Sequence, residues 1–167
     1  MTIHSDHPFL DHDRDQARRL RGRLGGAVSL VTTHDAGLTV SSLMIGLGEP
    51  ARLFLLLDPD ADLTDDLRDT GAGVVQLLTW RHRDLAEAFA GQAPAPGGPF
   101  RLGDWIDTPA GRRLADAPTW ASFEVEDVRE AGWSLLVTGR LGSIEVGDDA
   151  DALEHRRGRY GRTGRDD

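Results

Sequence analysis

The chain has no cysteine and no lysine. Without thiols, disulfide frameworks, thiolate zinc sites, iron–sulfur clusters and cysteine nucleophiles are excluded, so redox chemistry has to come from a bound cofactor. Without lysine no Schiff base forms, which removes pyridoxal-phosphate and lysine-based aldol chemistry. Long apolar runs are missing as well. The longest strongly apolar stretch, Leu53 to Leu57, falls far short of a bilayer span. The opening MTIHSDHPFLDHD is polar and acidic and lacks the basic and apolar parts of a secretory signal. These absences predict a cytoplasmic protein without a membrane segment. Positive charge is also in deficit: 28 acids against 19 bases, every one an arginine, leave a net charge of −9. Nucleic acid is therefore not the expected partner, because that binding is driven by cations neutralising phosphates.

What is present suits one domain. A chain of 167 residues with 39% hydrophobic and 28% charged residues is long enough to bury a core and has an ordinary globular composition. Charge is uneven along it. Asp58 to Asp69 carries six aspartates and one arginine, whereas Arg156 to Arg165 carries five arginines and no acid, and the two segments are candidates to meet in space.

Apolar spacing predicts an amphipathic helix over Asp11 to Leu24, stopped by Gly25-Gly26. A strand over Ala27 to Thr33 and another over Leu38 to Gly46 flank the turn His34-Asp35-Ala36-Gly37 and read as a hairpin. Arg52 to Leu57 is apolar on both faces and reads as a central strand. A short helix carrying Leu63 and Leu67 follows the loop Asp58-Pro59-Asp60-Ala61 and ends before Gly71, then come a strand over Gly73 to Trp80 and a short helix over Arg83 to Ala90. Thr108-Pro109 has the cap-then-first-turn pattern of a third short helix ending near Leu114. Two strands complete the chain, Trp120 to Val128 and Gly132 to Val146, the second bending at Gly139 or Gly142. The fold class expected is mainly β: a six-stranded antiparallel barrel with short helices tucked between strands.

The order of pieces GAVSLVTT, GLTVSSLMIGLGEPARLFLLLD, GAGVVQLL, LAEAFAG and HRRGRYG resembles the flavin reductase family of the FMN-binding split barrel over roughly Ala17 to Arg162. The resemblance implies a split β-barrel of Greek-key type spanning residues 12–162, with a flexible N-terminus at 1–11 and a tail at 163–167. It implies an oxidoreductase passing hydride from NAD(P)H to FMN or FAD, the reductase partner of a two-component monooxygenase, acting as a homodimer with the ligand site at the subunit interface. The alternative is a non-reductase barrel of the same fold holding a flavin, haem or other planar ligand; a third reading is a dimer whose pocket is vestigial.

Carried over residue by residue, Thr39, Val40, Ser41 and Ser42 stand where the family's T-A-S-S packs the flavin ring against strand backbone and hydroxyls. That suits a flat apolar ring with a polar edge, although Thr39 and Ser41 also fit the solvent face of an edge strand. Asp58, Asp60 and Asp62 replace the hydroxyls and cation that the family places beside the FMN phosphate, a repulsive exchange of about 1 to 4 kcal/mol per charge pair at ~4 Å. Arg156, Arg157, Arg159 and a helix N-terminus are the candidates to offset it; without compensation the same segment is a solvated helix cap. Gln76 stands at the family's asparagine and either reaches a flavin edge or satisfies neighbouring backbone. Arg157-Gly158-Arg159-Tyr160 matches the family's R-G-R-Y, which leaves Arg156 at the usual histidine position and His155 one place earlier as the candidate catalytic histidine. Hydride transfer needs stacking and orientation rather than an obligatory acid.

No metal site is expected. An EF-hand reading of Asp58, Asp60, Asp62 and Asp69 fails at Leu63, where that loop requires glycine, and His4, His7 and His12 straddle Pro8 without sharing a helix face. Trp80 reads as packing rather than as a cofactor contact.

Overall fold

The computed structural model describes residues 8–163. Helix α1 (Pro8–Leu24) leads in, earlier than the expected start at Asp11, with proline tolerated where helical N–H groups lack partners anyway. It is followed by β1 (Gly26–Ala27), β2 (Ser29–Thr32), β3 (Gly37–Val40), β4 (Leu43–Gly46), β5 (Arg52–Leu57), α2 (Asp62–Thr70) and β6 (Ala72–Leu77). A 3-10 turn at Trp80–His82 runs into α3 (Arg83–Phe89), and a second at Pro99–Leu102 precedes the hairpin β7 (Trp105–Thr108) and β8 (Gly111–Leu114). The long pair β9 (Thr119–Ala131) and β10 (Ser134–Glu145) and the hairpin β11 (Leu153–Arg156) and β12 (Arg159–Arg162) complete the order. Residues 1–7 and 164–167, most of the expected flexible terminus and tail together with His4 and His7, lie outside the described residues, as does the side chain of His12.

Seven strands form the main sheet in the order β3-β2-β6-β9-β10-β5-β4, with antiparallel pairing throughout. The expected count of six becomes seven because the strand expected over Leu38 to Gly46 breaks at Ser41-Ser42. Its first half pairs with β2 (Ser29↔Val40) and its second with β5 (Leu43↔Leu55), so one short segment supplies both edges of the sheet. In a flat sheet those edges would lie about 28 Å apart, at roughly 4.8 Å per strand. From Val40 to Leu43 the backbone spans at most about 11 Å. The sheet must therefore curl into a half-barrel; the Leu56 N–H, donating to the Ser42 carbonyl at 3.0 Å, extends the β4–β5 pairing up to the corner.

Curling encloses the main core, in which Val31, Leu53, Leu55, Leu57, Leu63, Leu67, Phe123 and Val137 are buried. Each such side chain contributes about 1.5–3 kcal/mol. Phe123 packs where glycines leave room: a Cβ at Gly73 or Gly139 would come within 2.8 or 2.7 Å of its ring. The bend expected in the last long strand is present, as register shifts between Thr138 and Gly139 and between Leu141 and Ile144. A second core of Val28, Leu30, Leu78, Leu85, Phe89, Leu114 and Leu153 sits under α3 and the β7–β8 hairpin. Trp80 packs at its margin between Arg83 and Arg162, whose guanidinium carbons lie 3.9 and 5.0 Å from its ring centroid.

Two local expectations are corrected. The strand over Gly73 to Trp80 ends at Leu77, and Trp80 opens the 3-10 turn. The helix expected from Thr108-Pro109 to Leu114 is instead the β7–β8 hairpin: the Thr108 hydroxyl donates to the Gly111 carbonyl at 2.7 Å and accepts from the Ala110 N–H at 3.2 Å, closing a turn rather than capping a helix. Tertiary partners hold that hairpin open. The Arg112 N–H donates to the Thr33 carbonyl, the Thr32 hydroxyl donates to the Arg112 carbonyl, and the Gln76 Oε1 accepts from the Leu114 N–H at 2.7 Å.

Gln76 is fully buried, and its Nε2 donates to the Leu30 carbonyl at 3.1 Å and the Thr32 hydroxyl at 2.9 Å. Substituting Gln76→Leu strands the Leu114 N–H, at about 1–3 kcal/mol. The urea midpoint is expected to fall by the equivalent of about 1–3 kcal/mol with the m-value unchanged. An unchanged midpoint would show that the hairpin is anchored elsewhere.

Candidate functional site

Because β3 and β4 are edge strands, they carry backbone groups that no neighbouring strand satisfies, and at the corner between them these face a cleft of about 1040 Å³. Leu38, Leu43 and Leu136 give it an apolar floor, with the more exposed Met44 and Leu56 toward the mouth. Thr39, Val40, Ser41 and Ser42 all line it. Their contributions differ. The Thr39 hydroxyl donates to the Ala86 carbonyl at 2.7 Å, tying β3 to α3, and the Val40 side chain belongs to the main core, so these two offer the cleft mainly backbone. Ser41 is exposed and Ser42 half-buried, and neither hydroxyl has a protein partner among the described residues.

Asp58 reaches the same cleft at the end of β5, where its carboxylate accepts from the Asp60 N–H at 2.9 Å. This turn leads into α2, and the Asp58 carbonyl accepts from the Thr64 hydroxyl at 2.7 Å. Asp60 and Asp62 lie outside the cleft lining; Asp62 and Asp65 stand in the first turn of α2, where carboxylates favour the positive end of the helix. The N-cap itself is Ala61, and no side chain caps the helix.

His155 and Arg157 line the cleft from the β11–β12 hairpin. The His155 ring meets Tyr160 edge-on across the strands at 5.7 Å. Burial, with a smaller contribution from Glu87, holds the Tyr160 hydroxyl above the usual tyrosine range, so it stays a neutral donor. Arg157 has φ 53° and Gly158 φ 75°, the two left-handed residues of a tight hairpin turn, and the Arg157 N–H donates to the Gly22 carbonyl at the end of α1 at 2.9 Å. An arginine in that conformation costs roughly 1 kcal/mol. Arg156, Arg159, Tyr160 and Gln76 are not among the lining residues, and every polar atom of Gln76 already has a protein partner. No ion pair among the described residues joins the Asp58 to Asp69 segment to the Arg156 to Arg162 segment; Arg162 instead makes a two-pronged pair with Asp151 at 3.0 and 3.1 Å.

The structure also brings in residues that pattern reading passed over. Arg18, Arg19, Arg21 and Arg23 of α1 line the cleft opposite the apolar floor. The signal was the run RRLRGR at 18–23, which reads as an ordinary helix surface until the hairpin packs against the end of α1. A cation-lined cleft in a chain of net charge −9 is suited to an anionic ligand with a flat apolar part.

A second polar constellation lies apart from the cleft. His82 Nε2 is 3.0 Å from the Asp116 carboxylate, and its Nδ1 is 3.1 Å from the Thr79 hydroxyl. Hydroxyl, imidazole and carboxylate thus stand in series, but Nδ1 also accepts the Thr79 N–H at 3.0 Å as part of a helix-capping box. With that lone pair engaged, the imidazole holds a turn rather than activating the hydroxyl.

The family model described as "Flavin reductase like domain" matches residues 21–164. The 4-hydroxyphenylacetate 3-monooxygenase reductase component of Pseudomonas aeruginosa is 26% identical over 147 residues, covering 84% of this chain and 86% of that protein. The FMN reductase (NADH) RutF of Ancylobacter novellus is 30% identical over 102 residues, 59% of this chain and 56% of that protein. Among solved structures, the NADH:FAD oxidoreductase SgcE6 of Streptomyces globisporus C-1027 superposes with a TM-score of 0.82 at 21% identity, covering 92% of this chain and 95% of that one, and so shares the fold.

The left-handed arginine makes one stability prediction. Arg157→Asn installs Asn-Gly, the pair this turn favours, and is expected to raise the melting temperature by about 2–4 °C for a relief of about 1 kcal/mol. A melting temperature that falls would mean the Arg157 side chain stabilises the turn.

Proposed function

Because the chain belongs to the flavin reductase like domain family, we propose that it is an NAD(P)H:flavin oxidoreductase using FMN or FAD on a split barrel of Greek-key type. The observation that carries this reading is the cleft: an apolar floor, the exposed backbone of an edge strand, two unpartnered serine hydroxyls and a wall of arginines. These residues suit a flavin. The apolar side chains exclude water from one ring face, the backbone of Thr39 to Ser42 and the hydroxyls of Ser41 and Ser42 suit the polar pyrimidine edge, and the arginines suit the anionic tail.

A bound flavin supplies the hydride-accepting chemistry. The protein's part would be orientation, with the corner at Ser41-Ser42 among the residues that would hold the ring. His155, which lines the cleft from the hairpin, serves as a hydrogen-bonding group at its edge rather than as an obligatory proton source. The name of the Pseudomonas aeruginosa relative supports a role as the reductase component that hands reduced flavin to a monooxygenase. The cysteine-free, acidic composition supports a cytoplasmic setting, and no helix among the described residues is long and apolar enough to cross a membrane.

The direct test is oxidation of NADH or NADPH by the purified protein with FMN, FAD or no flavin, in parent and Ser42→Phe. Flavin-dependent oxidation is expected for the parent. A phenyl ring at the corner is expected to abolish it by filling the space against the strand while leaving the circular dichroism spectrum unchanged. Flavin binding without oxidation would favour a binding-only barrel, and full activity in Ser42→Phe would place the ring elsewhere.

The same reading includes a homodimer that completes the cleft. Leu24, Met44 and Leu56 line it while remaining 77%, 65% and 43% exposed, an apolar rim that one protomer leaves uncovered. Light scattering at micromolar concentration is expected to give twice the 18.2 kDa of the chain. A monomer mass would remove the shared site.

A further inference from the structure

We infer that the phosphate-bearing tail of the flavin is held by Arg18, Arg21, Arg23 and Arg157, and that the acidic loop after β5 takes no part in holding it. This rests on the flavin-reductase reading and specifies how its ligand is bound.

The first observation is a crowding of like charge. Five arginines, Arg18, Arg19, Arg21, Arg23 and Arg157, line a single cavity, and none of them has a carboxylate partner among the described residues. Crowding unpaired cations disfavours the empty state: Arg18 and Arg21 stand at i and i+3 of one helix, a spacing at which like charges repel.

The helix dipole does not account for the group. It favours Arg21 and Arg23 in the last turn of α1, but Arg157 comes from a different element. That residue reaches the cleft from a turn whose left-handed geometry asparagine or glycine would adopt with less strain. Its N–H is bonded to the Gly22 carbonyl, so helix end and hairpin turn are locked into one wall. A Cβ added at Gly22 would sit 3.8 Å from the Arg157 backbone, which shows how closely the two pack.

The third observation concerns the alternative location. Asp60 and Asp62 lie outside the cleft, and Asp58, which does line it, has its carboxylate engaged by the Asp60 N–H. The loop offers an anion no cation, whereas the α1 wall offers several guanidinium groups, each able to donate two parallel hydrogen bonds to phosphate oxygens.

The test measures dissociation constants of riboflavin and FMN by fluorescence, with parent protein, Arg18→Gln/Arg21→Gln, Arg157→Asn and Asp60→Ser/Asp62→Ser. The parent is expected to bind FMN at least tenfold more tightly than riboflavin, with the difference shrinking as salt rises. Each arginine variant is expected to weaken FMN by about five- to tenfold and leave riboflavin unchanged. Since Arg157→Asn is expected to be the more stable protein, its loss cannot be assigned to unfolding. The aspartate variant is expected to change neither ligand.

An FMN-to-riboflavin ratio that survives both arginine variants overturns the inference and leaves the flavin reading standing. Tightening of FMN by the aspartate variant overturns it by returning the phosphate to the loop. Arginine variants that raise the KM for NADH while preserving that ratio would assign the wall to the nicotinamide dinucleotide and overturn it too. If neither flavin binds the parent, both readings fall together.

Discussion

Two residues, Ser41 and Ser42, join the opposite edges of a seven-stranded sheet, and the rest of the molecule follows from that short connection. A flat sheet cannot satisfy it. Curling brings β3 and β4 together, encloses the core around Phe123, and leaves at the meeting point a corner where backbone groups lack strand partners. The exposed corner is therefore a consequence of closure. Small side chains at positions 41 and 42 keep it accessible, since a bulky residue would refill the space that the missing strand leaves.

Closure alone would leave the second core uncovered. The β7–β8 hairpin covers it, and buried polar contacts centred on Gln76 hold the hairpin in register. Placing an amide in an apolar strand is costly unless each of its donors and acceptors is satisfied. Here they are, by Leu30, Thr32 and Leu114, so the same group that would penalise a misdocked hairpin specifies the correct one. A comparable contact ties α2 to the β2–β3 turn, where the Thr33 hydroxyl donates to the Asp66 carboxylate.

Charge is divided between structure and site. Carboxylates are in excess, and two of them stand in the first turn of α2; five arginines without a carboxylate partner among the described residues line one cavity. An acidic protein with a cationic cleft repels anions in general while admitting them locally, and that local attraction weakens with ionic strength.

Much of the architecture was legible from the chain. Apolar runs bounded by turn residues marked most strands of the main sheet, the Leu63 and Leu67 pair marked α2, the bend near Gly139 was visible as a glycine in a long strand, and the order of motifs pointed to the family. These features depend on neighbours close in sequence, where side-chain periodicity and turn residues are sufficient information. Other features depend on partners far along the chain. Thr108-Pro109 carried a helix signal, but Thr32, Thr33 and Gln76 supply the partners that make it a hairpin. Gln76 offered no local sign of whether it faced a ligand or the core. The arginines of α1 looked like a solvated helix surface because nothing nearby in sequence reveals that the β11–β12 turn, more than a hundred residues later, packs against Gly22 and turns them into one wall of a cleft. Local pattern determined which elements exist, and long-range closure decided which of their faces meet.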